Sequence, residues 1–409
     1  MGPMVRSLIL KRFRSVPTGR IGFDNPTFLV GRNGSGKSNI ADAFAFLAEA
    51  MVSPLQEVFD RRGGISSVRN RTSGRSLPPN IGLAVECALD QGLNKLSGLK
   101  AARYGFEIKA LPEYRFQVLR EQCIVTALDG SRQWFDRKRN KVESNVEPLS
   151  VLGKREDWLV PDALAIPLLG SISPFVVLLQ RLRSMRVYAI EPSRLREMQD
   201  PDSGTSLRRD GANAASVLEE IERQSPKDLQ RIGEFLSAIV PNTNAVETVQ
   251  HGKKLALEFT QEWNGSKPLQ FEAFNMSDGT LRAFGLLLAV YQRDTPSLIV
   301  VEEPEASIHP AAAGAIIDLL HHASRQMQVV VSTHNPEILD ARWIEDRHLR
   351  VVTWQKGATH VSNISEQSKK ALQEHLMGAG ELLRSEALEP TPLFEDLTAN
   401  QQSLFEEVG

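Results

Sequence analysis

At 409 residues with a formal net charge of −2, the chain carries no global basic field of the kind that advertises nucleic acid as a partner. Cys87 and Cys123 are too few for a disulfide framework, and the first residues lack a charged-then-apolar leader, so a cytoplasmic protein is expected. Ala163 to Gln180 has no charge, but Pro167, Gly170, Ser171, Ser173 and Pro174 interrupt it; it reads as a buried pair of helical segments, and no membrane partner is expected.

In chain order, Val5 to Phe13 and Ile21 to Phe23 read as strands, and Pro26 to Val30 as a short buried strand. Next comes Gly31-Arg32-Asn33-Gly34-Ser35-Gly36-Lys37-Ser38, a full G-x-x-x-x-G-K-[ST] pattern, and then a helix from Asn39 to Met51 with Ile40, Ala43, Phe44, Leu47 and Ala48 on one face. Strand, loop and helix together make a phosphate cradle. Glycines let the backbone turn tightly and aim successive N–H groups inward, and the helix N-terminus adds partial positive charge. The Lys37 ammonium reaches β and γ phosphates, and the Ser38 hydroxyl is a Mg²⁺ ligand.

Arg61 to Arg75 carries five arginines and no acid. It reads either as a DNA or RNA backbone contact or as a solvated loop touching nucleotide or partner. From Ile81 to about Val142, alternating runs suggest an antiparallel meander, with Arg137-Lys138-Arg139-Asn140-Lys141 as a solvated hairpin turn. From about 150 to 240 the pattern is helical, clearest in Ala215–Glu222 and Pro226–Ile239. A hairpin follows, Val246–Gln250 with Lys254–Gln261.

Asn275 to Arg282 opens an apolar helix running to Tyr291, and its small residues make a second anion site at a helix N-terminus. Ser297 to Val301 reads as a strand apolar on both faces, fit for the centre of a parallel sheet, and it ends in Glu302 and Glu303. Ligands bind at the carboxyl ends of such strands. Glu302 suits Mg²⁺ held through water, and Glu303 suits orienting and deprotonating the attacking water. Gln328 to Thr333 is another buried strand, ending in His334. The last 45 residues are polar and read as a short helix and a tail.

Taken in order, these segments resemble the Walker A, signature, Walker B and switch-histidine motifs of ABC-type ATPases. The resemblance is to the soluble branch: SMC heads, RecF and the ATPase half of OLD-family nucleases. Glu302-Glu303-Pro304-Glu305-Ala306-Ser307-Ile308-His309-Pro310 resembles that branch's E-E-P-E-x-x-x-H-P form, and Leu207-Arg208-Arg209-Asp210-Gly211-Ala212-Asn213 a recurring segment of its stand-alone members. The chain departs from the pattern where Glu302 replaces the usual Asp and where Ser277-Asp278-Gly279 stands for S-G-G. The glutamine that ligates Mg²⁺ in the family has three candidates here, Gln56, Gln91 and Gln117.

The resemblance implies an α/β fold of P-loop NTPase type (ABC/SMC-head), with a mixed central sheet, an antiparallel β lobe and a compact helical insertion. The expected domains are 1–150 with the cradle and meander, 151–245 as a helical cap, 246–365 with signature, Walker B and switch histidine, and 366–409 as a helix and tail. About 264 residues separate Ser38 from Glu302, with no sustained heptads, hence a compact cap and not a coiled coil. About 75 residues follow His334, too few for a TOPRIM nuclease.

The resemblance further implies ATP and Mg²⁺ as cofactors. Gly31, Arg32, Asn33, Gly34, Ser35, Gly36, Lys37, Ser38 and Asn39 would bind the nucleotide, with Ser277 and Gly279 of a second head. Arg12 and Phe13 would contact adenine and ribose, unless Phe13 belongs to the core. Ser38 and Glu302 would hold the metal; Glu303, His334 and Lys37 would be catalytic. The expected partners are a second copy in an ATP-sandwich dimer and a separate effector such as a nuclease or toxin in phage defence, or DNA or RNA. A RecF- or SMC-like DNA-repair ATPase, a non-hydrolysing scaffold and a transporter subunit are the competing readings.

Overall fold

The computed structural model describes residues 2, 4–70, 79–90, 98–147, 149–152, 159–169, 172–263, 267–309, 312–391 and 403–408. In chain order the strands are β1 (Val5–Phe13), β2 (Val16–Gly22), β3 (Thr27–Val30), β4 (Asn80–Ala88), β5 (Leu99–Ala110), β6 (Phe116–Ala127), β7 (Arg132–Lys138), β8 (Lys141–Ser144), β9 (Arg186–Tyr188), β10 (Thr243–His251), β11 (Lys254–Gln261), β12 (Leu269–Glu272), β13 (Leu298–Glu302), β14 (Gln328–Thr333), β15 (Leu349–Gln355) and β16 (Ala358–Ser362). The chain divides into two compact units. The first comprises Met1–Met185, Asp346–Lys370 and Leu388–Gly409, the second Arg186–Glu345 and Ala371–Ala387.

The first unit is built on a seven-stranded antiparallel sheet ordered β2-β1-β4-β5-β6-β7-β8. Its strands alternate with period two. Leu83 of β4 lies opposite Phe106 of β5, and both are fully buried, as are their same-face neighbours Ile81, Val85, Tyr104 and Ile108. The intervening residues, Gly82, Ala84 and Glu86 opposite Glu107, Gly105 and Arg103, make the other face. The helix Lys37–Ala50 packs on the apolar face through Phe46, whose ring lies 5.7 Å from Phe13, 5.3 Å from Phe59 and 6.3 Å from Phe106. Burying each such ring stabilises by roughly 1.5–3 kcal/mol. Because the helix is buried nearly all round, its sequence is apolar nearly all round. In the same unit β3 pairs in parallel with β15, which pairs antiparallel with β16.

The turn expected at Arg137–Lys141 is present between β7 and β8, but Arg137 is not solvated: it is fully buried. Its Nη1 lies 3.6 Å from Glu121 Oε2, also fully buried, and donates to the Ala163 carbonyl, while Nε and Nη2 donate to the carbonyls of Arg139 and Val160. Glu121 in turn accepts from Tyr104 Oη at 2.9 Å and from the backbone N–H of Ala165 and Ile166 at 2.6 and 2.9 Å. The pair fastens the 160–166 stretch to the sheet.

In the second unit β13 pairs in parallel with β14 and with β9. Apart from Glu302, every residue of β13 and β14 is buried, as the apolar runs Leu298–Val301 and Val329–Val331 require. The helices Ala214–Gln224, Pro226–Ile239, Asp278–Tyr291 and Ala313–Ser324 belong to this unit, with the antiparallel sheet β10-β11-β12. The stretch from 150 to 240 is not wholly helical, because Arg186–Tyr188 forms β9. Three residues are too few for a periodic signal. Ala163 to Gln180 contains the short helix Ile166–Leu169 and the start of Phe175–Arg183. Among the described residues, no helix is long and apolar enough to cross a membrane.

Removing one member of a buried ion pair leaves the other uncompensated, at a cost of about 3–5 kcal/mol. Arg137→Ala is therefore expected to lose stability on that scale in denaturant unfolding. A loss under about 1 kcal/mol would show that Arg137 does not carry the fastening.

Candidate active-site elements

In the first unit β3 ends at Val30 and the loop Gly31–Gly36 leads into the helix Lys37–Ala50. Two glycines are obligatory for shape. Gly36 has φ 103, and a Cβ there would meet Thr359 Oγ1 at 2.0 Å; a Cβ on Gly31 would meet the Val352 carbonyl oxygen at 2.2 Å. The loop is thus pressed against β15 and β16. Thr359 Oγ1 donates to the Ser35 carbonyl at 2.8 Å, and Ser15 Oγ lies 2.7 Å from the same hydroxyl. Asn39 Nδ2 donates to Ser15 Oγ, so the Asn39 side chain belongs to this bracing network.

The helix has no side-chain cap at its N-terminus. Ser35 Oγ is buried with no hydrogen-bond partner, while Ser38 is exposed. Lys37 is buried, and its Nζ donates to the carbonyls of Gly31 and Arg32 at 2.7 and 3.1 Å, lying across the loop it is expected to serve. Arg32 and Asn33 are exposed at the loop tip. An uncapped helix end, an orphaned hydroxyl and a cation across tight glycine turns fit a phosphate chain.

Phe13 needs correcting. It is fully buried, edge-to-face on Phe46, and offers no surface to a base. Arg12 is partly exposed, with φ 57. Two of the five arginines after residue 60 are held by acids. Arg62 pairs with Asp42 at 2.9 Å and Glu49 at 2.8 Å, Arg61 lies near Glu57 and Glu49, and Asp42 also accepts from Arg14. Arg71 and Arg75 lie outside the described residues, as does Gln91. Gln56 donates to Asp60 on its own helix, and Gln117 lies in β6 opposite Lys109.

In the second unit Glu302 ends β13 and Glu303 follows with φ 45, a left-handed conformation costly for a residue with a side chain. The Glu303 N–H is held by the Ser332 carbonyl at 2.9 Å. Glu303 Oε1 lies 3.3 Å from His334 Nδ1, and both side chains are partly exposed, so these two site residues come together within this unit. Glu302 Oε1 accepts from Arg209 Nη2 at 2.9 Å. Arg209 was not singled out, although its segment was; nothing in a sequence says which of two adjacent arginines faces a carboxylate.

Glu305 was also missed. It is buried, accepts from Thr333 Oγ1 at 2.6 Å, and leaves Oε2 without a partner. Thr333 Oγ1 also accepts from the Asn335 N–H, which ties Glu305 to the turn holding His334. Burial pushes the Glu305 carboxyl above the usual range.

Ser277 caps the helix Asp278–Tyr291, accepting from the Thr280 N–H at 3.1 Å. A Cβ on Gly279 would meet the Ser307 carbonyl at 2.4 Å, so only glycine lets this helix start approach the loop after Glu303. Arg196 secures the same turn through Asp278 at 2.6 Å and the Met276 carbonyl at 2.8 Å.

The family described as "AAA domain, putative AbiEii toxin, Type IV TA system" matches residues 27–340. Among solved structures, the chain is similar to an SMC head bound to the C-winged helix domain of ScpA. The identity is 16%, with 90% of this chain and 99% of that chain covered, at a TM-score of 0.50. A second is the Smc head domain with an extended coiled coil bound to the C-terminal domain of ScpA, from Pyrococcus furiosus. There the identity is 15%, the coverage 92% and 100%, and the TM-score 0.49. No curated protein matches the chain in sequence. At such identities the likeness is one of fold: a mixed α/β P-loop NTPase of SMC-head type.

A carboxyl whose folded-state pKa is raised favours the protonated form, so its contribution is complete below the unfolded value near 4.5 and is lost as pH rises through the folded one. Glu305→Gln, which cannot ionise, should therefore gain thermal stability relative to wild type as pH rises from 4.5 to neutrality. An unchanged or reversed difference would show that Glu305 is ionised in the fold.

Proposed function

The chain belongs to this AAA-domain, AbiEii-type family, and on that premise we propose that it is a Mg²⁺-dependent ATPase. The observation that carries hydrolysis, over mere binding, is Glu303 held 3.3 Å from His334 on a strained backbone at the end of an apolar strand. Strain at a carboxylate is retained where the carboxylate has work to perform. In this reading Lys37 and the N–H groups of Gly31–Ser38 bind the β and γ phosphates. Ser38 and Glu302 would hold the metal, and Arg209 positions the Glu302 carboxylate. Glu303 accepts the proton of the attacking water, and His334 orients that water or senses the γ-phosphate. The metal supplies neutralisation of the phosphate oxygens. Arg12 is the remaining candidate for adenine or ribose.

We further propose that two copies sandwich two nucleotides, Ser277 and Gly279 of each closing on the cradle of the other with two-fold symmetry. The dimer would report its state to a separate effector protein, such as a nuclease or toxin. The SMC head bound to the C-winged helix domain of ScpA supports a head that works through a second protein. DNA or RNA is the weaker partner, because Arg62 is buried against Asp42 and Glu49 and Arg61 is shared with Glu49 and Glu57.

Glu303→Gln should keep ATP binding while slowing turnover roughly 10²–10⁴-fold, the contribution of a general base. Lys37→Ala should weaken binding itself. Normal turnover in Glu303→Gln would sink the assignment. The Glu303→Gln protein should also double in mass when ATP is added, and Ser277→Arg should prevent that; sizing chromatography decides both.

A further inference from the structure

The outward face of the seven-stranded sheet has an unusual floor. Gly82 and Ala84 on β4, Gly105 on β5 and Ile9 on β1 form a patch in which three of four side chains are a methyl group or less. Glycine inside a strand weakens it, and it persists where a ligand or another backbone comes close. Charged and polar residues surround this floor on the same face: Lys11, Glu86, Arg103, Glu107, Arg120, Gln122 and Asp136.

The chain's own residues 403–406 lie in this trough. Leu404 is buried against Ile9 and Ala84. A Cβ on Gly82 would meet Leu404 Cδ1 at 2.2 Å, and one on Gly105 the Leu404 carbonyl at 3.0 Å. Phe405 lies under the Arg120 guanidinium, 4.4 Å from ring centroid to Cζ. Gln122 reads the backbone of Glu406 with both ends of its amide: Nε2 donates to the Glu406 carbonyl and Oε1 accepts from the Glu406 N–H, each at 2.9 Å. Arg103 and Arg132 both grip the Glu406 carboxylate, and Arg103 also binds the Ser403 carbonyl. A pocket for Leu, a cation over Phe, a two-point reading of backbone and a paired carboxylate are the means by which domains recognise short linear peptides.

We propose that this face is a recognition site for a short Leu-Phe-Glu peptide, and that the chain's own Ser403–Glu406 segment is a separable ligand occupying it. The apolar contacts of Leu404 form a small cluster of their own with Ile9 and Ala84. Release of the segment therefore leaves the sheet and its opposite, apolar face intact.

The test uses the full chain and a fluorescein-labelled hexapeptide of the 403–408 sequence, followed by anisotropy. Leu404→Asp empties the trough by placing a charge over it, and this variant should bind the peptide saturably. Wild type should bind at least roughly tenfold more weakly, because its tethered segment competes at high effective concentration. Adding Gly82→Ala to Leu404→Asp narrows the floor and should weaken peptide binding, while keeping the melting transition of Leu404→Asp. A scrambled hexapeptide should bind none of the three. The proposal is overturned if Leu404→Asp binds no peptide, if it binds no better than wild type or no better than the scrambled sequence, or if it fails to fold. The last outcome would make the segment part of the fold and not a ligand.

Discussion

A loop that is to grip phosphate must leave its own N–H groups unspent, and so it cannot be held by them. The solution here is a brace from behind. Thr359 donates to the Ser35 carbonyl at 2.8 Å, and Ser15 and Asn39 complete the network around that hydroxyl. Gly36 has no room for a Cβ because Thr359 stands there, and Gly31 none because the Val352 carbonyl does. The hairpin β15–β16 therefore shapes the cradle from a position 324 residues away in sequence. The brace binds the Ser35 carbonyl and takes none of the loop's N–H donors.

In the second unit the same economy holds by different means. Glu303 is kept at φ 45 by the bond of its N–H to Ser332, while buried Glu305 ties the same turn to Thr333 and Asn335. Burial, together with the neighbouring Glu303, pushes the Glu305 carboxyl upward, which disfavours a further negative charge beside the pair. Gly279 then lets the signature-like helix start against the Ser307 carbonyl.

What the sequence made legible was local. The runs at Thr27–Val30, Leu298–Glu302 and Gln328–Thr333 read as strands because they are buried on both faces. Pro226–Ile239 was recovered to the residue because its apolar spacing is set by one buried stripe. The Glu303–His334 proximity was legible because adjacent parallel strands bring their carboxyl ends together. Charged residues were read worst. Arg137 and Arg62 looked like solvent-facing residues in basic runs, yet both are buried against acids that lie at least 13 residues away in sequence. Phe13 could not be assigned between core and ligand, since an aromatic at a strand end serves either; Phe46 decided it. The brace at Thr359 carried no signal at all, because a lone threonine in a hairpin is ordinary.

Lys37 shows what a cradle of this kind does before any ligand arrives. The residue is 5% exposed, and its ammonium donates to the carbonyls of Gly31 and Arg32. The ion has thus lost most of its hydration shell as a result of folding, not of binding. An arriving phosphate exchanges peptide oxygens for phosphate oxygens on a swing of the four-carbon stem, with little water left to strip. A small anion offering one contact cannot replace two carbonyls and leaves the resting arrangement undisturbed; a polyphosphate, with many oxygens to offer, can.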